Sequence, residues 1–544
     1  MNPSTKKVLK WTGIILGSIL LLAIILGIYI YTIIPKPIGA PVKLQEALFA
    51  RPAQAFPMEG KYIYKSATEL AAMIRHREAT AVEVVTEFLN NIRNNNYKYN
   101  ALIWIRAEEA LQDAQRADQM VADGDTMNHP LLGVPVTIKE MYWVKGSPST
   151  LNAKMYGFTA PDDATVVKQL KSAGAVVLGT TNVPFMLMDY QTQGEVYPTA
   201  SNPYDTSRTP GGSTGGGAAA LAAGFSTLEL GSDLGGSIRI PSAFCGLYGL
   251  KTTLGAINMT EGTSPDTTIK YSRFACASAG PLARTAADLQ LLWEVLKSTP
   301  MDKKFQQPIQ WLPASQKNLS DYKIAWMDDW KHGAKTAEAS ADVKKALTQW
   351  TDSLRAHGVH VEKTAPDLYD EMEKCFFGSF AAMMAENQPW LIRKFIAMDL
   401  SKWNADGKNE NFQAALDALN DASDTQWNKS VALRQSLVAK WDAFFKQFDF
   451  FVCPVAYGEA IKKCPSFSTL QLPDGKSMSY ASYFPFTTIF NGTGHPCLTI
   501  PLGLNTEGLP IGVQIVGPYY AEDEMLHFAQ LVTPLIKGFV QPSK

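Results

Sequence analysis

Hydrophobic and polar positions divide the chain into distinct regimes. Residues 11–34 form an apolar run without a single charge, longer than the ~20 residues a helix needs to cross a ~30 Å hydrocarbon layer. Trp11 stands at one edge and Tyr29 and Tyr31 at the other, where an interfacial aromatic belt would put them. The apolar core of a cleaved signal peptide spans only ~7–15 residues, so the run reads as one transmembrane helix after a short basic tail, residues 1–10. Lys6, Lys7 and Lys10 precede it and Lys36 and Lys43 follow. That bias directs the amino terminus to the cytoplasm and predicts a single-pass membrane protein whose main domain is extracytoplasmic. Residues 35–60 carry Pro35, Pro37, Pro41, Pro52 and Pro57 with little periodicity, which predicts a linker arm.

From residue 61 to 540 the pattern alternates between helical and strand periods. Ser66-Ala67-Thr68-Glu69 and Thr80-Ala81-Val82-Glu83 are capping boxes ahead of apolar residues at helical spacing. Residues 134–138 and 174–179 read as strands, with a helix over 163–172 between them. Ser340 caps a helix that Gly358 ends, and Val359 to Val361 begin another strand. Residues 450–453 and 513–516 read as further interior strands. Alternation of this kind predicts an α/β domain.

Composition narrows the function classes. Apolar residues are 46% and charged residues 19% of the 544, so the chain can build a large core. The 50 basic and 51 acidic residues leave a net charge of −1, which gives no electrostatic pull toward nucleic acid. The cysteines, Cys245, Cys276, Cys375, Cys453, Cys464 and Cys497, form no C-x-x-C pair, and no metal site or cofactor is expected. Cys453 and Cys464 are near enough in sequence to pair in an exported domain.

The chemistry concentrates in residues 209–255. Pro210-Gly211-Gly212-Ser213-Thr214-Gly215-Gly216-Gly217 is followed by Gly231-Ser232-Asp233-Leu234-Gly235-Gly236-Ser237-Ile238-Arg239. Glycine this dense around two serines implies backbone held close to a ligand. The amides of Leu234, Gly235, Gly236 and Ser237 can converge as an oxyanion hole. A serine that attacks an unreactive carbonyl needs a base, and none of the seven histidines lies in these loops. Lys139 ends the apolar run 133–138. Desolvation there would favour its neutral amine, although a lysine at a strand end is more often a solvated cap.

The segment GGSTGGGAAALAAG…GSDLGGSIRIPSAFCGLYGLK resembles the defining motif of the amidase signature family. Residues 133–139, 280–285 and 508–517 are similar to further blocks of that family, and the resemblance covers roughly residues 61–540. It implies an amidase signature fold, with a large mixed central sheet flanked by helices on both faces and preceded here by the transmembrane helix. It also implies amide hydrolysis to acid plus ammonia or amine, by a triad of nucleophile Ser237, bridging Ser213 behind a cis peptide bond, and base Lys139. Asp233 and Arg239 match the family's supporting polar pair. Thr214 and Ser232 depart from the commonest residues but keep a hydroxyl.

Other readings stay open at this stage. Gly211-x-Ser213-x-Gly215 also fits the nucleophile elbow of α/β-hydrolases, with His495 or His527 as base. An amidotransferase A-type subunit would share fold and triad but act inside a complex. A degenerate binding protein would not need all three triad positions filled. The partner expected of the enzyme is a small-molecule or lipid amide, with membrane contact through residues 11–34 and a homodimer left open. Residues 376–400 hold Phe376, Phe377, Phe380, Met383, Met384, Trp390, Leu391, Phe395, Ile396 and Met398. They read either as helix core or as a fatty acyl channel, and Leu187 aligns with a substrate-lining position of the fatty acid amide hydrolase subgroup.

Overall fold

The computed structural model describes residues 42–259, 276–298, 309–315, 317–332, 335–386, 388–401, 410–419, 423–472 and 475–543. The capping boxes at Ser66 and Thr80 both form and start the helices Ala67–Arg75 and Ala81–Tyr99. Residues 42–60, expected as a linker arm, are fastened to the domain. The Gln45 side chain exchanges hydrogen bonds with the Ile105 backbone at 2.8 and 3.0 Å. Asn94 does the same with Phe56 at 2.8 and 2.9 Å.

The centre is a mixed sheet of eleven strands. In chain order they are β1 (Leu102–Ile105), β2 (Pro135–Lys139), β3 (Val176–Thr181), β4 (Leu228–Asp233), β5 (Tyr248–Lys251), β6 (Ser278–Ala283), β7 (Lys323–Trp326), β8 (His360–Lys363), β9 (Phe450–Pro454), β10 (Cys497–Leu504) and β11 (Pro510–Val516). Their spatial order is β1-β3-β2-β4-β6-β5-β10-β11-β9-β7-β8. β3, β2 and β4 run parallel, as do β9, β7 and β8, while the strands between and β1 pair antiparallel. Alternation along β3 sends Val177 into one apolar layer, with the helices Ala286–Leu296 and Glu522–Val532. Val176 and Leu178 enter the opposite layer, against the 81–99 helix. Helices therefore cover both faces. The predicted strand at 174–179 begins two residues late because Gly174 turns the chain at φ 92°.

Two expectations are corrected. Cys453 and Cys464 are not joined: all six cysteines are free, and Cys453 is buried inside β9. The single-pass membrane localisation with an extracytoplasmic domain does not hold, because among the described residues no helix is long and apolar enough to cross a membrane. The long helices Ala81–Tyr99 and Asp424–Phe445 are interrupted by charge, the latter at Lys429, Arg434, Lys440 and Asp442. Residues 11–34, on which that expectation rested, lie outside the described residues.

Candidate active site

The parallel strands β2 and β4 end side by side, and polar groups collect beyond their carboxyl ends, where α/β sheets place ligands. Lys139 is the last residue of β2 and fully buried. Its Nζ donates to Ser213 Oγ at 2.8 Å, to Ser232 Oγ at 2.9 Å and to the Ser232 carbonyl at 3.2 Å. No carboxylate hydrogen-bonds to it among the described residues. Burial lowers its pKa to about 7, against the charges of Asp233 and Glu229, which favour the ammonium.

Ser213 follows a cis Gly212–Ser213 peptide bond and precedes the helix Gly215–Ala222. The glycines before it are forced by contact. A Cβ on Gly212 would lie 2.6 Å from the Asp189 carbonyl oxygen, and one on Gly211, at φ +89°, 2.8 Å from Pro241 Cα. The Thr214 amide donates to the Ser237 carbonyl at 3.1 Å, so the two serine loops are tied to each other. Ser237 is 8% exposed, and its side chain takes part in no hydrogen bond among the described residues.

Asp233 organises the loop that carries Ser237. Its Oδ1 accepts the Gly236 amide at 2.8 Å, and its Oδ2 accepts the Ile238 amide at 3.1 Å. Arg239 grips the same carboxylate through Nε to Oδ2 at 3.0 Å and Nη2 to Oδ1 at 2.9 Å. Both side chains are wholly buried. Burial alone would raise the Asp233 pKa, but the Arg239 guanidinium holds it well below the usual carboxylate range. The expected quartet of inward amides is thereby reduced: Gly236 is committed to Asp233. The amides of Leu234, Gly235 and Ser237 have no acceptor among the described residues. Thr487 Oγ1 fixes the loop from outside, donating to the Gly235 carbonyl at 2.7 Å.

Sequence reasoning missed the groups that lock this pair. Asn491 Nδ2 donates to Asp233 Oδ1 at 3.0 Å, and Arg239 donates to Asn491 Oδ1 at 2.5 Å and to Gln514 Oε1 at 2.9 Å. Gln514 carried a usable signal, being the polar residue inside the apolar strand β11.

The loop that carries Ser237 borders an apolar cluster. Leu234 and Met188 pack against a group containing Phe376, Phe380, Ala381 and Leu416, flanked by Phe377, Met383, Met384 and Ile396. Trp390 and Met398 are exposed instead. Leu187 does not join this cluster; it packs against the central core. Met186 and Leu187 adopt left-handed φ of 50° and 64°, and the next residue, Met188, packs against the Phe376 cluster. A Cβ on Gly235 would lie 3.5 Å from the Tyr190 hydroxyl and 3.8 Å from Phe376, so both rings stand close to the loop.

The histidines lie elsewhere. His495 is buried, with Nδ1 bonded to Thr493 Oγ1 at 2.9 Å, and burial drives its pKa down to about 3. His527 Nε2 meets the Lys317 carbonyl at 3.1 Å. No strand leads into Ser213, as a nucleophile elbow requires.

A family model described as Amidase matches residues 83–526. The A-type subunit of the glutamyl-tRNA(Gln) amidotransferase of Bdellovibrio bacteriovorus is 29% identical over 508 residues, covering 87% of this chain and 98% of its own. Fatty-acid amide hydrolase 2 of Homo sapiens is 28% identical over 522 residues, covering 90% and 92%. Among solved structures, 6-aminohexanoate cyclic dimer hydrolase superposes with a TM-score of 0.72 at 22% identity, covering 88% of this chain and 99% of its own; that likeness carries the fold alone.

Proposed function

The chain belongs to the amidase family, and from that premise we propose that it hydrolyses a carboxylic amide through an acyl-enzyme on Ser237. The observation that carries this reading is the contact of a fully buried Lys139 with Ser213 Oγ at 2.8 Å. A neutral Lys139 takes the Ser213 proton while Ser213 takes that of Ser237, since a hydroxyl donates and accepts at once. Ser237 Oγ then bonds to the substrate carbonyl carbon, and negative charge develops on the carbonyl oxygen. The amides of Leu234, Gly235 and Ser237 are the donors for that oxygen, and Asp233 with Arg239 holds the loop in shape. Collapse breaks the C–N bond as the proton returns through Ser213 to the leaving nitrogen. Water, activated by the same base, releases the acid.

On the acyl side, the cluster of Phe376, Phe380, Met188 and Leu234 supports an apolar group, as the name of the human relative also suggests. The bacterial relative's name supports a second reading, a component that works within an amidotransferase. One experiment separates them: purified chain alone, given simple amides of increasing acyl length, with ammonia or amine release measured. Turnover without a partner, rising with acyl length, is the expected result. Turnover only with a partner added favours the second reading.

A further inference from the structure

Beneath Lys139 lies a second buried acid that the mechanism above does not use. Glu229 sits in β4 opposite Thr137 of β2, and Lys139, two residues further along β2, emerges on the same face. Thr181 of β3, opposite Lys139, donates its hydroxyl to Glu229 Oε1 at 2.7 Å. Oε2 has no hydrogen-bond partner among the described residues, and the side chain is wholly buried. The 215–222 helix passes over it: a Cβ on Gly217 would come within 2.3 Å of the Glu229 carboxyl. The third glycine of that run is thus the space this acid occupies.

A buried carboxyl without a paired cation is costly, and such groups cluster at functional sites. The charged groups near Glu229 are few. β2 brings Lys139, and β4 brings Asp233, which is already paired with Arg239. β3 and the 215–222 helix bring none. Arg284, beyond the end of β6, donates instead to the carbonyls of Leu221 and Ser226.

We propose that Glu229 is a positioning residue for the proton of Lys139: as carboxylate it retains the ammonium, and as carboxylic acid it frees the amine. The proposal rests on Lys139 being the base. Burial pushes Glu229 up to about 7, against the Thr137 and Thr181 hydroxyls and the Lys139 charge, while burial brings Lys139 down to about 7. Each charge acts on the other, Glu229 holding Lys139 up and Lys139 holding Glu229 down, so the two titrations are coupled.

The test is the second-order rate at which a fluorophosphonate probe labels Ser237 in the full chain, followed from about pH 5 to 9. Glu229→Gln keeps the shape and the Thr181 contact but removes the anion, so the acid limb should move to lower pH by about 0.5–1 unit. Thr181→Val removes a hydroxyl that favours the carboxylate and should move the limb the same way by less. It also decides the question if Glu229→Gln does not fold. An unmoved limb in a variant with parental thermal unfolding, or a limb moved upward, overturns the role of Glu229. Lys139→Ala is the control: if it keeps the parental limb, Lys139 is not the base, and that reading fails instead.

Discussion

Replacing Asp233 by Asn changes one atom and should disable both the fold of the nucleophile loop and the reaction. The carboxylate accepts six hydrogen bonds: from the amides of Gly236, Ile238 and Arg239 at 2.8, 3.1 and 3.4 Å, from Arg239 Nε and Nη2 at 3.0 and 2.9 Å, and from Asn491 at 3.0 Å. An asparagine keeps one acceptor oxygen and turns an NH2 group toward donors. The Arg239 guanidinium then stays buried without its counter-ion, a loss of about 3–5 kcal/mol in comparable pairs. That is a large share of the ~5–15 kcal/mol by which domains are stable. The assay is urea unfolding of parent and variant, with fluorophosphonate labelling of Ser237 on the folded fraction. Because the folded Asp233 pKa is depressed, its contribution is complete above the ordinary aspartate value of about 3.9. It disappears only as the pH falls through the lower folded value. The stability gap should therefore be flat between about pH 5 and 8. Adding Arg239→Met should recover stability but not labelling, since the Gly236 and Ile238 amides remain unanchored. A single Asn variant within about 1 kcal/mol of the parent that labels at the parental rate would refute the reasoning.

Two further outcomes follow from contacts. Gly216→Ala should destabilise by at least about 2 kcal/mol, because its Cβ would lie 2.3 Å from the Asn182 amide nitrogen and 2.6 Å from the Ala101 carbonyl oxygen; a parental urea midpoint would contradict this. Ser237→Ala should keep the parental circular dichroism, lose at least ~10³-fold in turnover and give no fluorophosphonate adduct, whereas a label mapped to Ser213 would reassign the nucleophile.

Much of the frame could be read from local pattern because local rules set it. The caps at Ser66 and Thr80, and a lysine ending an apolar strand, are short-range signals. The glycine-serine loops were visible for the same reason, most of their glycines, Gly235 excepted, answering a close contact. What escaped is long-range or directional. Asn491 and Gln514 reach Asp233 and Arg239 across 258 and 275 residues. The Gly236 amide turns toward Asp233, which no residue count reveals. Leu187 packs against the central core and its neighbour Met188 against the Phe376 cluster, after two left-handed residues, a local turn that sequence spacing does not reveal. Glu229 carries no local signal in the sequence; only its neighbours across β2 and β3 single it out.

The central claim is that Lys139 is the base, and the pH dependence of kcat/KM tests it most directly. The amine is competent only when neutral, and burial lowers its pKa to about 7. Activity should therefore rise with pH through about 7 and fall away on the acid side, while the oxyanion amides do not titrate. Measured on the longest simple amide the parent turns over, Lys139→Ala should lose at least ~10³-fold, and His495→Ala and His527→Ala should keep the parental acid limb. A histidine variant that removes that limb, with Lys139→Ala still active, would contradict the account.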